Sequence, residues 1–291
     1  MGYNGDGNGA MLEAIAQKQG LWKKHGLNIT AKKFTNGPIQ IQALGAGSLD
    51  FGYIGPGAIW LPIEGKAKII APVALGESDR VIAQKGIDTV QQLKGKTIGV
   101  PQGTSGAMLL GLALAKAGMS IHDVNQVFMD PSTVISAFTA GKLDAAAIWY
   151  PFVAQIKTAV PGMVEVVKSS DFPDLAFPSC LVAGPNITQK PELLKRYQAA
   201  AKDAMDWAAA HTSELPQLMA SFLKVSLADE QSELNFIDVL KPSDFISKWE
   251  DGTAPKWFEN LNRQFIAMGT IKTDTIVDPS KYVLFKEYKN A

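Results

Sequence analysis

The chain has 291 residues; its 28 basic and 28 acidic side chains cancel, and 46% of its residues are hydrophobic. That length suffices for two α/β lobes or one large domain, and the composition is that of an ordinary globular protein. Balanced charge removes the bulk electrostatic case for nucleic acid or an anionic membrane surface, but leaves room for a local charged pocket. A single cysteine, Cys180, excludes an internal disulfide. No Cys or His spacing suggests a metal site, so neither metal nor cofactor is expected. His25, His122 and His211 lie far apart and read as surface or satisfied residues. No stretch approaches the roughly 20 apolar residues of a membrane span. The start, Met1-Gly2-Tyr3-Asn4, lacks a charged segment followed by an apolar one and runs into a glycine-rich loop. This reads as a mature domain whose leader was replaced by a start Met, although a chain that begins there naturally also fits.

Taken in order, the loop Asn4 to Gly9 opens a helical run that ends at Gly20, a fitting C-cap. Ile41 to Asp50 is a second helical run and loop, followed by the strand Phe51–Ile54 and then Gly55-Pro56-Gly57. Ile69 to Leu75 has the pattern of a buried strand, and Gly76-Glu77-Ser78-Asp79-Arg80 separates it from a new strand at Val81 to Ala83. Lys96 to Val100 is a short apolar strand, Gln102 to Gly106 a turn, and Ala107 to Lys116 a helix rich in Ala and Leu, with Gly118 beyond it. A strand at Asn125 to Met129 leads to a helix opened by Pro131 and Ser132, and Ala145 to Trp149 is a third strand. Ser170 to Ser179 is irregular, Cys180 to Ala183 is apolar, and Pro191 to His211 is strongly helical.

Two internal matches organise these pieces. Ile41 to Ile54 and Ile135 to Ile148 share Ile, Ala, Ala, Gly, Leu, Asp and Ile at the same relative positions without a gap. Unrelated segments of that length would share roughly one residue by composition. Gly2 to Leu12 matches Gly99 to Leu109 at nearly the same offset. Strands alternating with helices predict a mainly parallel sheet with right-handed crossovers in each of two similar lobes. The pattern changes predict lobe 1 as residues 1–76, lobe 2 as 77–177 inserted in it, and 178–291 as the return of lobe 1.

In open α/β sheets ligands sit beyond the carboxyl ends of strands, where helix starts expose unpaired N–H groups that favour anions. Four loops qualify: Asn4 to Gly9 (with Asp6 and Asn8), Gly55-Pro56-Gly57, Gln102 to Gly106 (with Thr104 and Ser105), and Asp130-Pro131-Ser132. Simple capping would account for any one of them; four in duplicated units point to a shared cleft. Trp149 and Tyr150 stand just past a strand end, a place for a cleft wall, while Trp60, Trp207, Trp249 and Trp257 read as packing residues. Phe177, in the irregular stretch before the return strand, joins the candidates. Asp6, Glu77, Asp79, Asp130 and Asp174 outnumber the nearby cation Arg80, which suits a zwitterion better than a plain anion.

Enzyme signatures fail. Gly95-Lys96-Thr97 resembles the end of a P-loop, but Val90 stands where its first Gly is required. Gly103 to Gly106 resembles a nucleophile elbow, but Ala107 replaces the final Gly. Asp6 and Asn8 suggest a calcium loop, but Met11 and Gln17 occupy its glycine and glutamate positions.

In combination, Leu21-Trp-Lys-Lys-His-Gly-Leu27, Gln42 to Asp50, Leu93-Lys-Gly-Lys-Thr-Ile-Gly-Val-Pro101, Ala140 to Asp144 and Trp149-Tyr-Pro151 resemble the nitrate/sulfonate/taurine class of ABC-transporter substrate-binding proteins. The resemblance covers Gly2 to about Tyr288. It implies the type II periplasmic-binding fold, two α/β lobes joined by two crossing strands around a ligand cleft. It also implies a non-enzymatic, extracytoplasmic monomer that delivers a small solute to a membrane permease. Leu75 to Arg80 and Trp149 to Pro151 resemble segments of taurine and alkanesulfonate binders, and Thr104 and Ser105 match a helix start that would hold a sulfonate. The class also includes binders of nitrate, carboxylates and pyrimidine vitamin precursors. Enzymes occur on the same fold; one type needs a cofactor-bearing cysteine, a role that a buried Cys180 would not suit.

Overall fold

The computed structural model describes residues Met1–Ala291. The chain divides into two compact units, Met1–Gly76 with Leu175–Ala291, and Glu77–Asp174.

The first unit opens with β1 (Gly2–Asn4), α1 (Gly7–Gln19), α2 (Leu21–Lys24), β2 (Lys32–Phe34), α3 (Gly37–Gly45), β3 (Phe51–Ile54), α4 (Trp60–Ile63) and β4 (Lys68–Gly76). The second holds β5 (Asp79–Ala83), β6 (Thr97–Val100), α5 (Ser105–Lys116), β7 (Asn125–Phe128), α6 (Pro131–Thr139), β8 (Ala145–Trp149), α7 (Phe152–Ala159) and β9 (Val164–Lys168). The chain then re-enters the first unit with β10 (Pro178–Ala183), α8 (Pro191–Ala210), α9 (Leu215–Leu223), α10 (Leu227–Leu234), β11 (Ile237–Val239), α11 (Pro242–Glu250), α12 (Thr253–Ala267) and α13 (Phe285–Asn290).

The first unit's four-stranded sheet is antiparallel at every pair and the second unit's sheet is mixed, which corrects the expectation of mainly parallel strands. In the first unit the order is β11-β4-β10-β3, with β10 antiparallel to both neighbours, while β1 and β2 form a separate parallel pair. In the second unit the order is β7-β6-β8-β5-β9; β6 runs parallel to β7 and β8, and β5 runs against β8 and β9. The reason is connectivity. The strand by which the chain enters each unit, β5 or β10, comes from outside the local strand–helix–strand series and runs against it.

The duplicated sequence corresponds to duplicated packing. A Cβ on Gly2 would stand 3.0 Å from Leu49 Cδ2 and 2.5 Å from Gln40 Oε1. One on Gly99 would stand 2.5 Å from Leu143 Cδ1. Leu49 and Leu143 are themselves matched positions in the repeat, so each Gly–Leu pair sets the same approach of a strand to the segment that follows a later helix, α3 in one unit and α6 in the other. Gly20 takes φ +64°, a left-handed helix end that a side chain would strain.

Each unit has its own core. In the second, Val81, Leu93, Ile98, Val100, Leu109, Leu110, Leu114 and Ala147 bury together. In the first, Tyr197 of α8 stacks on Phe51 with ring centroids 3.7 Å apart and contacts Trp22 at 5.6 Å. Helix α1 is buried from Gly7 to Ala16, so it lies inside the unit rather than on its surface. No helix is long and apolar enough to cross a membrane.

Candidate functional site

The start of α1 is built from carboxylates. Asp6 is the N-cap, with extended backbone, and its Oδ1 accepts from Gly9 N at 2.7 Å. Glu233 reaches over from α10; its Oε2 accepts from Gly7 N at 2.7 Å and its Oε1 from Asn8 N at 2.9 Å. Thus the first three N–H groups of α1 are taken by the chain's own acids. Correcting the sequence expectation, this start is not available to an anionic ligand. Glu230, one turn earlier on α10, is fully buried, and neither carboxylate oxygen has a hydrogen-bond partner. Gly7 is glycine for a steric reason: a Cβ there would collide with the Glu230 carboxylate and stand 3.1 Å from Glu233 Oε2.

Electrostatics follow from this crowding. Burial, Asp6 and Asp229 push Glu230 up to about 7 from the ordinary 4.5. Burial pushes Glu233 well up as well, reinforced by Asp6 and Glu230 and opposed by the two helix-start N–H groups. Tyr53 of β3 is buried beside them, and its hydroxyl is pushed well up by burial, then by Asp6. Ser179 of β10 donates to Asn8 Oδ1 at 3.3 Å, which places Asn8 at the edge of the same cluster. Sequence reasoning picked out Asp6 and Asn8 but missed Glu230 and Glu233. Their spacing of three on a short helix is the signal that could have found them, since it places both on one face.

The start of α5 in the second unit is chemically different. Thr104 stands at the N-cap but makes no side-chain cap; its hydroxyl donates instead to Pro101 O at 2.6 Å. Its carbonyl accepts from Met108 N at 3.0 Å, closing the first turn. The helix start at Ser105 and Gly106 therefore presents backbone N–H groups without a side-chain acceptor from the N-cap. Gly106 is a packing residue: a Cβ there would lie 2.5 Å from Ala147 O, so its absence lets α5 lie on β8. Gln102 is exposed in the preceding turn.

Asp130 caps α6 through its backbone and is exposed, its side chain making no cap. Glu77 is exposed and Ser78 half-buried, whereas Asp79 is buried and pairs with Trp149 across β5 and β8. Arg80 is built into the second unit: its Nε donates to Glu165 Oε2 at 2.9 Å, and its Nη1 to the carbonyls of Glu77 and Asp79, each at 2.7 Å. Tyr150 donates to Glu165 Oε1 at 3.1 Å and lies under the Arg80 guanidinium, 5.2 Å from ring centroid to Cζ. Trp149 is buried against Phe152, edge on. Gly55-Pro56-Gly57 forms a single tight turn leading into the four-residue α4, so only one short turn of helix starts there. Phe177 is buried, and its carbonyl accepts from Gly76 N at 3.1 Å, tying the end of β4 to the start of the return segment. In the first unit Asp6 and Asn8 come together; in the second, Asp79, Trp149 and Tyr150 group around β5 and β8.

Comparison with known proteins fits this architecture. A protein of Brucella abortus (strain 2308) named "Putative binding protein" is 49% identical, over 98% of this chain and 89% of its own length. The taurine-binding periplasmic protein of Escherichia coli (strain K12) is 24% identical over 62% of this chain and 58% of its own. In structure, the alkanesulfonate-binding protein SsuA of Xanthomonas axonopodis pv. citri, bound to MOPS, superposes with a TM-score of 0.77. That match covers 97% of this chain and 96% of that one at 20% identity, and shows the shared periplasmic-binding fold. These relatives are binding proteins, and the chain is a binding protein rather than an enzyme. The model of the NMT1/THI5-like family matches residues 11–215. The chain belongs to the NMT1/THI5-like family.

Proposed function

We propose that the chain is the solute-capturing component of an ABC importer of the sulfonate and taurine type. It works outside the cytoplasm as a monomer and hands a small polar or zwitterionic solute to a membrane permease. The observation that carries this is the start of α5, where Thr104 turns its hydroxyl to Pro101 and leaves the helix-start donors uncapped. Such donors suit a sulfonate or carboxylate, through their direction and the favourable helix dipole. The names of the sulfonate- and taurine-binding relatives support the same class. The proposed contacts are Gln102, Thr104, Ser105 and Gly106 around the anion. Trp149, Tyr150, Asp79, Glu77, Ser78 and Asp130 are the second unit's other candidate contacts. The first unit's candidates are Asp6, Asn8, Gly55, Pro56, Gly57 and Phe177.

A thermal-shift screen of taurine, alkanesulfonates, nitrate, small carboxylates and small amines tests it. Free ligand at a hundredfold excess over its dissociation constant adds about 2.7 kcal/mol to stability, a readily measured rise in Tm. Tryptophan emission should change in the same titrations through Trp149. No rise in Tm with any small solute would remove the proposal.

A further inference from the structure

We propose that Glu165 is a positioning residue for solute capture: its carboxylate fixes the two segments of the second unit that carry Glu77, Ser78, Asp79, Trp149 and Tyr150. The inference rests on the solute-receptor reading above and goes further by giving a role to a residue outside the candidate contacts.

Glu165 lies on β9, at an edge of the second unit's sheet. Its oxygens gather donors from three other elements. Oε2 accepts from Arg80 Nε of β5 at 2.9 Å, and Oε1 accepts from the Tyr150 hydroxyl, just past β8, at 3.1 Å. Lys157 of α7 pairs with Oε1 at 3.6 Å. The Lys157 side chain is exposed and its pair adds little. The other two bonds, to a carboxylate, are charge-assisted, and their donors are joined to each other by the Arg80 guanidinium over the Tyr150 ring. Each donor residue also holds main chain. Arg80 Nη1 donates to the carbonyls of Glu77 and Asp79, and Tyr150 N donates to Ser78 O at 3.1 Å. One carboxylate thus orders both the entry segment of the unit and the aromatic end of β8. Burial, and then the charge and bond of Glu165, push the Tyr150 hydroxyl up, opposed by Arg80, so it stays a donor. A side chain already held in one rotamer does not lose that freedom when a ligand arrives, so the lock favours binding without touching the solute.

The test uses the full chain with taurine, ethanesulfonate, MOPS, propionate and nitrate as probes. Calorimetry reads dissociation constants, and urea unfolding reads midpoints. With its side chain 27% exposed at a sheet edge, Glu165 can be replaced without emptying a core. Glu165→Ala should weaken the tightest-binding probe by about fivefold or more. Glu165→Gln keeps one acceptor oxygen and should fall between Glu165→Ala and the parent. Tyr150→Phe removes the hydroxyl through which Glu165 acts, so in that background Glu165→Ala should weaken binding by less than about twofold further. A merely structural Glu165 would lower the unfolding midpoint and leave the dissociation constant alone, or would weaken binding equally with and without the Tyr150 hydroxyl. Either result overturns the positioning role and leaves the receptor standing. If Glu165→Ala does not fold, the same cycle is run with Glu165→Gln and judged by the same two results. Failure of the parent to bind any probe overturns both readings.

Discussion

Replacing Glu230 by glutamine should make the ligand-free protein more stable, by an amount that grows from about pH 4.5 to about pH 7 and is constant above. The side chain is fully buried and its oxygens are unpartnered, with its pKa pushed up to about 7 from 4.5 by burial and by Asp6 and Asp229. A carboxylate that holds its proton more tightly folded than unfolded contributes no penalty well below 4.5. It costs stability as pH rises through the window from 4.5 to about 7, and the cost is constant above it. The gap between the two values corresponds to about 3 kcal/mol. Glutamine keeps the shape and removes the charge. Urea unfolding should show Glu230→Gln within about 1 kcal/mol of the parent at pH 5 and about 3 kcal/mol more stable at pH 8. The same substitution at Glu233 should act in the opposite sense, because Glu233 accepts with two oxygens and glutamine puts a donor NH2 in place of one, facing the N–H of Gly7 or Asn8; a loss of about 1–3 kcal/mol follows from one buried donor left unmade. An equal effect of Glu230→Gln at both pH values, or a loss at pH 8, would refute the claim that this carboxylate is buried without a partner.

Other expectations follow from the packing. Gly106→Ala should destabilise the second unit by about 1–3 kcal/mol in urea unfolding, since its Cβ would stand 2.5 Å from a backbone oxygen of β8 that cannot move aside cheaply. Thr104→Val should cost about 1 kcal/mol by the same measurement, for the lost hydroxyl bond to Pro101 O. Cys180 is fully buried and burial pushes its thiol up, so iodoacetamide should leave the folded protein unmodified by mass spectrometry while alkylating it in urea.

Much of the architecture was legible because local chemistry and the fold agree. Gly20 reads as a helix end and takes the left-handed conformation there; Pro131 opens a helix; Ala145 to Trp149 is a strand, as its apolar run suggests. Strand direction was not legible. Whether β5 and β10 run with or against their neighbours depends on where the chain enters each unit, and no local periodicity carries that information. In the candidate site, the loop residues around Asp6 and Thr104 could be found because glycine-rich helix starts have a recognisable composition. Glu230 and Glu233 were marked only by their spacing of three, because Leu227 to Leu234 is short and rich in charge, and it is packing against α1 that turns these two acids inward. What fixes Gly106 is also invisible locally: the backbone of β8, distant in sequence, lies where its side chain would be.

The two matched helix starts show what a duplicated frame leaves free to change. Gly9 and Gly106 occupy the same place in the internal repeat, and in both a side chain would collide: with Asn4 and Asp6 in one, with the β8 backbone in the other. Packing therefore fixes glycine at this turn in both units and gives each a helix start facing its strand ends. The capping residues, Asp6 three positions before Gly9 and Thr104 two before Gly106, are where they part. Asp6 caps α1 and is joined there by Glu233, so the N–H groups of that start are filled by the chain's own carboxylates. Thr104 keeps its hydroxyl for Pro101, so the start of α5 remains electropositive. The two helix starts thus differ in what occupies their N–H groups, and the difference follows from a cap and one borrowed glutamate. On this argument Asp6→Ser should weaken discrimination in favour of an amine-bearing solute without loss of fold, because serine still caps Gly9 N while removing one negative charge. The unfolding midpoint and the taurine-to-ethanesulfonate affinity ratio check the two halves of that statement separately. A variant that folds as well as the parent and keeps the parent's ratio would show that the charge at the α1 start does not govern selection.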